Sequence, residues 1–204
     1  MAISRLPKRP VAAEVAPYLA PPSVSVPALL RSGRDHIFQK LIFDMFTISA
    51  RIEVVRVHFA SRMGISGPQY SLLRAVAFLQ GHQGVSIGIV ARHLHVASPF
   101  ITAQSRELLQ RGLLEKKEDT VDRRVWRLSL TVKGERLVDQ IVQKVRPIND
   151  IFFGTLQKSE FEALSTIMEK LVDSSRSAIA QISSQDYGVL LSNRERRIFK
   201  NDRE

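Results

Sequence analysis

Few side chains in this 204-residue chain could do covalent or metal chemistry, and they are poorly spaced for it. Cysteine is absent, which removes thiol nucleophiles, disulfides and cysteine-rich zinc modules. His93 and His95 stand two apart and cannot share one face of a helix, while His36, His58 and His82 are scattered. No HExxH, GxxxxGK or GxGxxG spacing occurs, and no nucleophile stands beside a base. The expectation is therefore no catalytic residue, no metal and no cofactor. A small helical enzyme without a familiar motif is the remote alternative.

Charge is the more informative chemistry. Lys and Arg number 30 against 20 Asp and Glu, a formal net charge of +10. Such an excess suits a polyanionic partner, either nucleic acid or an anionic membrane surface. Two local groups stand out. Asp122, Arg123 and Arg124 crowd one short turn, and His58 and Arg62 have the i, i+4 spacing of one helix face. The second pair could line a ligand cleft, with Arg62 facing a carboxylate.

The elements that position these residues read mostly as helices. Ile37, Leu41, Ile48, Ile52, Val55 and Phe59 recur at helical steps from about Asp35 to Ser61, with Ile42, Phe43, Met45 and Phe46 beside them. A helix apolar on two sides predicts packing on its own domain and on a partner subunit. Ser66 with Gln69 and Pro68 signals a second helix, burying Tyr70, Leu73, Val76 and Ala77. After the turn at residues 81–84 come a short extended piece, Val85 to Ile87, and a helix from about Gly88 to Leu94. Ser98-Pro99 reads as a capping serine followed by proline at the first helical position, and Gly112 closes that helix.

Leu114 to Asp119 and Val125 to Leu130 read as the two strands of a hairpin, with Lys116, Lys117 and Arg127 on solvated faces. Thr131 caps a long helix that contains Pro147, where a kink is predicted, and Ser159 with Glu162 reads as the capping box of the last helix. The proline-rich stretch 1–34 is expected to be a flexible arm and 184–204 a fraying tail. No apolar run is long enough to cross a bilayer, and prolines interrupt the N-terminus, so a cytoplasmic protein is the default.

Helix, short helix, capped helix and basic-tipped hairpin, in that order, make a winged helix-turn-helix. A helix N-terminus in the major groove brings polar side chains to base edges, while a hairpin tip can carry a cation into the minor groove. The expected fold class is mainly α with a small β-hairpin. A winged helix-turn-helix at 63–131 is flanked by long helical segments at 35–62 and 132–183.

Several runs resemble the MarR family of transcriptional regulators. They are Leu108-Leu109-Gln110-Arg111-Gly112-Leu113-Leu114, Asp122-Arg123-Arg124, and Leu128-Ser129-Leu130-Thr131 with Gly134 beyond. Gly64-Ile65-Ser66 with Gln69 ahead of Leu72-Leu73, and Val90-Ala91 with Leu94, are similar to it too. The resemblance spans about Asp35 to Ile182. It implies a homodimer on double-stranded DNA, joined through a helical dimerisation domain from 35–62 and 132–183, usually a repressor on a pseudo-palindromic site, released by a small ligand such as an aromatic acid or a coenzyme A thioester. It further implies that Ser98, Pro99, Thr102, Ala103 and Arg106 read bases or contact phosphate. By the same resemblance Arg124 enters the minor groove, Asp122 orients it, and Arg123 contacts phosphate. Pro99-Phe100 departs from the small polar residues frequent there, which favours contact with thymine methyl groups. An activator or a ligand-independent architectural protein would share these residues. A membrane-surface protein would need a Lys/Arg-lined face with Trp anchors, which these helices lack.

Overall fold

A computed structural model describes residues 18–183. The order of elements is a short 3-10 turn (Pro27–Leu29), α1 (His36–Arg62), α2 (Gly67–Leu79), β1 (Val85–Ser86), α3 (Ile87–His93), α4 (Ser98–Gln110), β2 (Leu114–Glu118), β3 (Trp126–Leu130), α5 (Val132–Phe153) and α6 (Lys158–Ser183). The chain divides into two compact units, Met1–Gly134 and Glu135–Glu204.

The core of the first unit is built from one face of each helix. Leu72, Leu73, Ala75 and Val76 of α2, Val90 and Ala91 of α3, and Ile101 and Leu108 of α4 are buried together with Leu113, just before β2, and Leu114, Leu128 and Leu130 of the hairpin. Tyr70 and Ala77 stay half-exposed; Leu72 and Ala75 take the interior places instead. Phe59, Ala60, Met63 and Ile65 carry the same core into the end of α1. The larger of these, Val, Leu, Ile, Phe and Met, each contribute roughly 1.5–3 kcal/mol through burial.

Local signals set the boundaries. Ser66 and Gln69 form a capping box at the start of α2, each bonding the other's backbone N–H. Thr131 Oγ1 accepts from the Gly134 N–H (3.1 Å) at the start of α5, as its sequence predicts. Pro147 lies inside α5 without ending it. Three expectations change. Ser98 is not the cap of α4: Ala97 holds that position, and Ser98 and Pro99 form the first turn. Proline fits either early position because those amides have no helical partner. In α6 the reciprocal bond comes from Glu160, which accepts from the Gln157 N–H at 2.8 Å, so the helix starts one residue before Ser159. The hairpin is also not alone, because β1 pairs antiparallel with β3 and makes a three-stranded sheet of order β1-β3-β2.

The part of the expected arm that the structure describes, residues 18–34, makes specific contacts with the start of α1. The Asp35 carboxylate accepts from the Ser23 N–H (2.7 Å) and hydroxyl (2.8 Å), and Gln39 Nε2 donates to Ser23 Oγ at 2.5 Å. Arg31 and Arg34 exchange backbone hydrogen bonds around Ser32 and Gly33, both at positive φ. These contacts tie the segment before α1 to the helix's first turn. Residues 1–17 and the expected tail at 184–204 lie outside the described residues. In the second unit α6 keeps its apolar stripe, Phe161, Leu164, Met168, Leu171 and Ile179, at the surface of the single chain. No helix among the described residues is long and apolar enough to cross a membrane.

Candidate nucleic-acid interface

α4 has two faces with different fates. Ile101, Ser105 and Leu108 point inward, and the Ser105 hydroxyl turns back to the Thr102 carbonyl at 3.0 Å. Ser98, Pro99, Thr102, Ala103 and Arg106 fall on the other side, as helical steps of three and four require. All are exposed except Thr102, which is half-buried and donates its hydroxyl to the Ser98 carbonyl at 3.2 Å. Arg106 has no intramolecular partner among the described residues. The helix therefore offers its N-terminal half and one cation to solvent while its packed face holds it still.

The wing is held from below. β2 and β3 pair from Leu114↔Leu130 to Glu118↔Trp126, and the chain turns over residues 119–125. Asp119 organises that turn. Its Oδ1 accepts from the Val121 N–H (2.8 Å) and the Asp122 N–H (3.0 Å), while its Oδ2 pairs with Arg127 Nε. The backbone N–H of Asp122, then that of Val121, then Arg127 hold the Asp119 carboxyl down to about 2. Arg127 is thus not a solvated strand residue. Its second nitrogen donates to the Gly84 carbonyl at 3.1 Å and ties the wing to the turn before β1. Lys116 differs from expectation in the same way, lying 4.3 Å over the Trp126 ring, whereas Lys117 stays exposed beside Glu115.

At the tip, Asp122 Oδ1 accepts from the backbone N–H of Arg124 at 3.0 Å. The contact shapes the loop; it does not engage the Arg124 guanidinium. The guanidinium groups of Arg123 and Arg124 are exposed and have no partner among the described residues. Two cations without internal duty thus stand at the end of a braced hairpin, in the same unit as the open face of α4.

His58 and Arg62 do meet, with Arg62 Nε donating to His58 Nε2 at 3.2 Å on the exposed side of α1. That nitrogen of His58 must be unprotonated to accept.

Several contributors escape the sequence pattern. Asp119 and Arg127 meet across the β2–β3 hairpin, and Gly84, 43 residues from Arg127, is brought to them only by β1–β3 pairing. A local signal existed for Asp119 alone, since an aspartate opening a turn commonly accepts from the amides two and three residues on.

Comparison with known proteins bears on this geometry. The MarR family model matches residues 65–126, the span from two residues before α2 to the first residue of β3. The chain is 26% identical over 111 residues to the HTH-type transcriptional regulator BilQ of Clostridium symbiosum, covering 54% of this chain and 77% of that protein. It is 22% identical over 137 residues to the HTH-type transcriptional repressor MdtR of Bacillus subtilis, covering 67% and 86%. The MepR–DNA complex of S. aureus shares the fold with a TM-score of 0.53 at 21% identity, over 66% of this chain and 96% of that one.

Proposed function

We propose that this chain, which the MarR family model matches over residues 65–126, acts as a homodimeric repressor on a pseudo-palindromic duplex operator. The observation that carries the reading is the pairing of two surfaces without internal duty. One is the outer face of α4; the other is the Arg123–Arg124 tip of a wing braced by Asp119 and Arg127. The outer face of α4 enters the major groove, with Thr102 and Arg106 toward base edges or phosphate and Ser98, Pro99 and Ala103 against the groove floor. Arg124 enters the minor groove and Arg123 meets phosphate. Asp122 fixes the backbone from which Arg124 projects.

Dimerisation follows from the apolar surface left uncovered in one chain. On α1, Ile37, Leu41, Phe43, Phe46, Ile48 and Ile52 are exposed, and α6 carries a similar stripe. Surfaces of that size and character belong in an interface. Two lobes then present their α4 helices about one turn of DNA apart. The repressor assignment draws support from MdtR, which is a repressor. A small carboxylate ligand is the proposed release signal, with Arg62 pairing with its carboxylate and His58 lining the same cleft. Such a ligand displaces the Arg62–His58 hydrogen bond in favour of a charge-assisted one.

The test is binding to the DNA upstream of the protein's own gene. Arg124→Ala weakens specific binding by about fivefold or more, the range of one lost groove contact. Removing Arg123 lowers the slope of log K against log salt by about one. Equal binding of wild type and Arg124→Ala at every salt concentration overturns the wing assignment.

A further inference from the structure

The end of the recognition helix touches the end of α1 through one side chain. Arg111, directly after α4, donates from one guanidinium nitrogen to the Gly64 carbonyl (2.5 Å) and from another to the Met63 carbonyl (3.1 Å). Those carbonyls sit where α1 ends and have lost their helical partners. Gly64 is at φ +65° and forms the joint between α1 and α2. A Cβ there would meet the guanidinium at 3.5 Å, so the planar group lies against the bend itself. Arg111 is held from behind by Glu107 (3.7 Å), and Glu107 accepts from Gln69 Nε2 at 2.6 Å. Gln69 is itself buried and locked in the capping box of α2. The Arg111 carbonyl accepts from Lys133 Nζ at 2.8 Å, so the first turn of α5 reaches the same point.

Core packing fixes α4 within the lobe and reaches α1 at its last turn, through Phe59 and Ala60, and Arg56 of α1 also donates to the Ser71 hydroxyl of α2 at 3.3 Å. The bend at residues 63–66 is the point at which the lobe can still swing on α1, and a group spanning it limits that swing. Arg111 spans it with a rigid fork, and a fork that bonds two carbonyls resists rotation in a way one point contact does not.

We infer that Arg111, seated by Glu107 and Gln69, is a positioning residue that fixes the angle between α1 and the recognition helix, and through it the half-site spacing the dimer accepts. The inference rests on the DNA-binding reading above and adds the residue that sets its register. Arg111 itself meets no DNA. A swing at the joint is carried to the groove end of α4, some 20 Å away along a 13-residue helix.

Two measurements on the full-length protein test it. Amide hydrogen exchange, which needs neither DNA nor a particular oligomer, reads the joint directly. In Arg111→Ala the 60–66 segment exchanges about tenfold faster while 72–76 in the lobe core is unchanged. Operators with half-sites moved apart or together by one or two base pairs read the consequence. Wild type prefers one spacing, and Arg111→Ala and Glu107→Gln lose about fivefold or more of that preference while the salt dependence stays the same. Arg111→Lys, able to bond the carbonyls without the fork, recovers part of it. Faster exchange in both segments marks general destabilisation and overturns the inference, as does a spacing preference retained within about twofold when salt dependence is also unaltered. If wild type binds every DNA without preference, the repressor reading falls, and the functional half of this inference falls with it. Exchange at the joint still decides whether Arg111 braces it.

Discussion

Among single residues, Asp119 and Arg111 do the most for the proposed interface without facing DNA. Asp119 turns its carboxylate inward to two amides and Arg127, leaving Arg123 and Arg124 as the outward charges of the wing. Its folded pKa of about 2 lies below the roughly 3.9 of an unfolded aspartate. A lowered carboxylate pKa stabilises the folded state above the unfolded value and loses that contribution as pH falls through the folded one. The wing therefore stays intact across the neutral range and loosens only between about pH 4 and pH 2. A carboxyl-detected NMR titration gives Asp119 a midpoint near 2, rising in Arg127→Ala. A midpoint of about 4 in the wild-type protein contradicts this account of the turn.

At the scale of elements, two glycines separate packing from propensity. A Cβ at Gly134 would stand 2.1 Å from the Leu113 carbonyl oxygen, where the first turn of α5 crosses the end of the recognition segment. Neither backbone can yield without breaking the Thr131–Gly112 and Thr131–Gly134 bonds. Gly134→Ala is expected to destabilise the fold by about 2 kcal/mol or more, the upper range of overpacking. Gly88 in α3 has only the Arg92 guanidinium at 3.7 Å from the same ideal Cβ. Gly88→Ala is therefore neutral or stabilising, by up to about 1 kcal/mol from helix propensity. Urea unfolding of both variants checks the contrast, and a Gly134→Ala protein as stable as wild type removes the close-approach argument.

For the whole molecule the question is what covers α1 and α6. Leu41 and Leu171 are 50% and 41% exposed in the single chain, far more than a stable apolar stripe leaves to water. Leu41→Glu and Leu171→Glu, separately, are expected to shift the protein from dimer to monomer in analytical ultracentrifugation at micromolar concentration. Specific DNA affinity then falls by about tenfold or more, because one lobe loses the second lobe's contacts. A wild-type protein that sediments as a monomer contradicts the dimer outright.

The sequence by itself determined the helices, their order and the hairpin. Those follow from local causes: apolar steps of three and four, the Ser66–Gln69 box, proline at helix starts, and alternation along Trp126 to Leu130. It also pointed to Arg106, Arg123 and Arg124, since a cation at a helix face or turn tip is visible in the chain. Tertiary structure decided what each charge is for. Arg127 and Arg124 look alike in sequence, yet one is bound to Asp119 and Gly84 and the other is left to solvent. Arg111 looks like one more basic residue before a glycine, and only folding brings it to carbonyls 47 and 48 residues earlier. The difference is physical: periodicity and capping are set by neighbours along the chain, whereas a partner for a buried or bracing charge is supplied by whatever the core brings near.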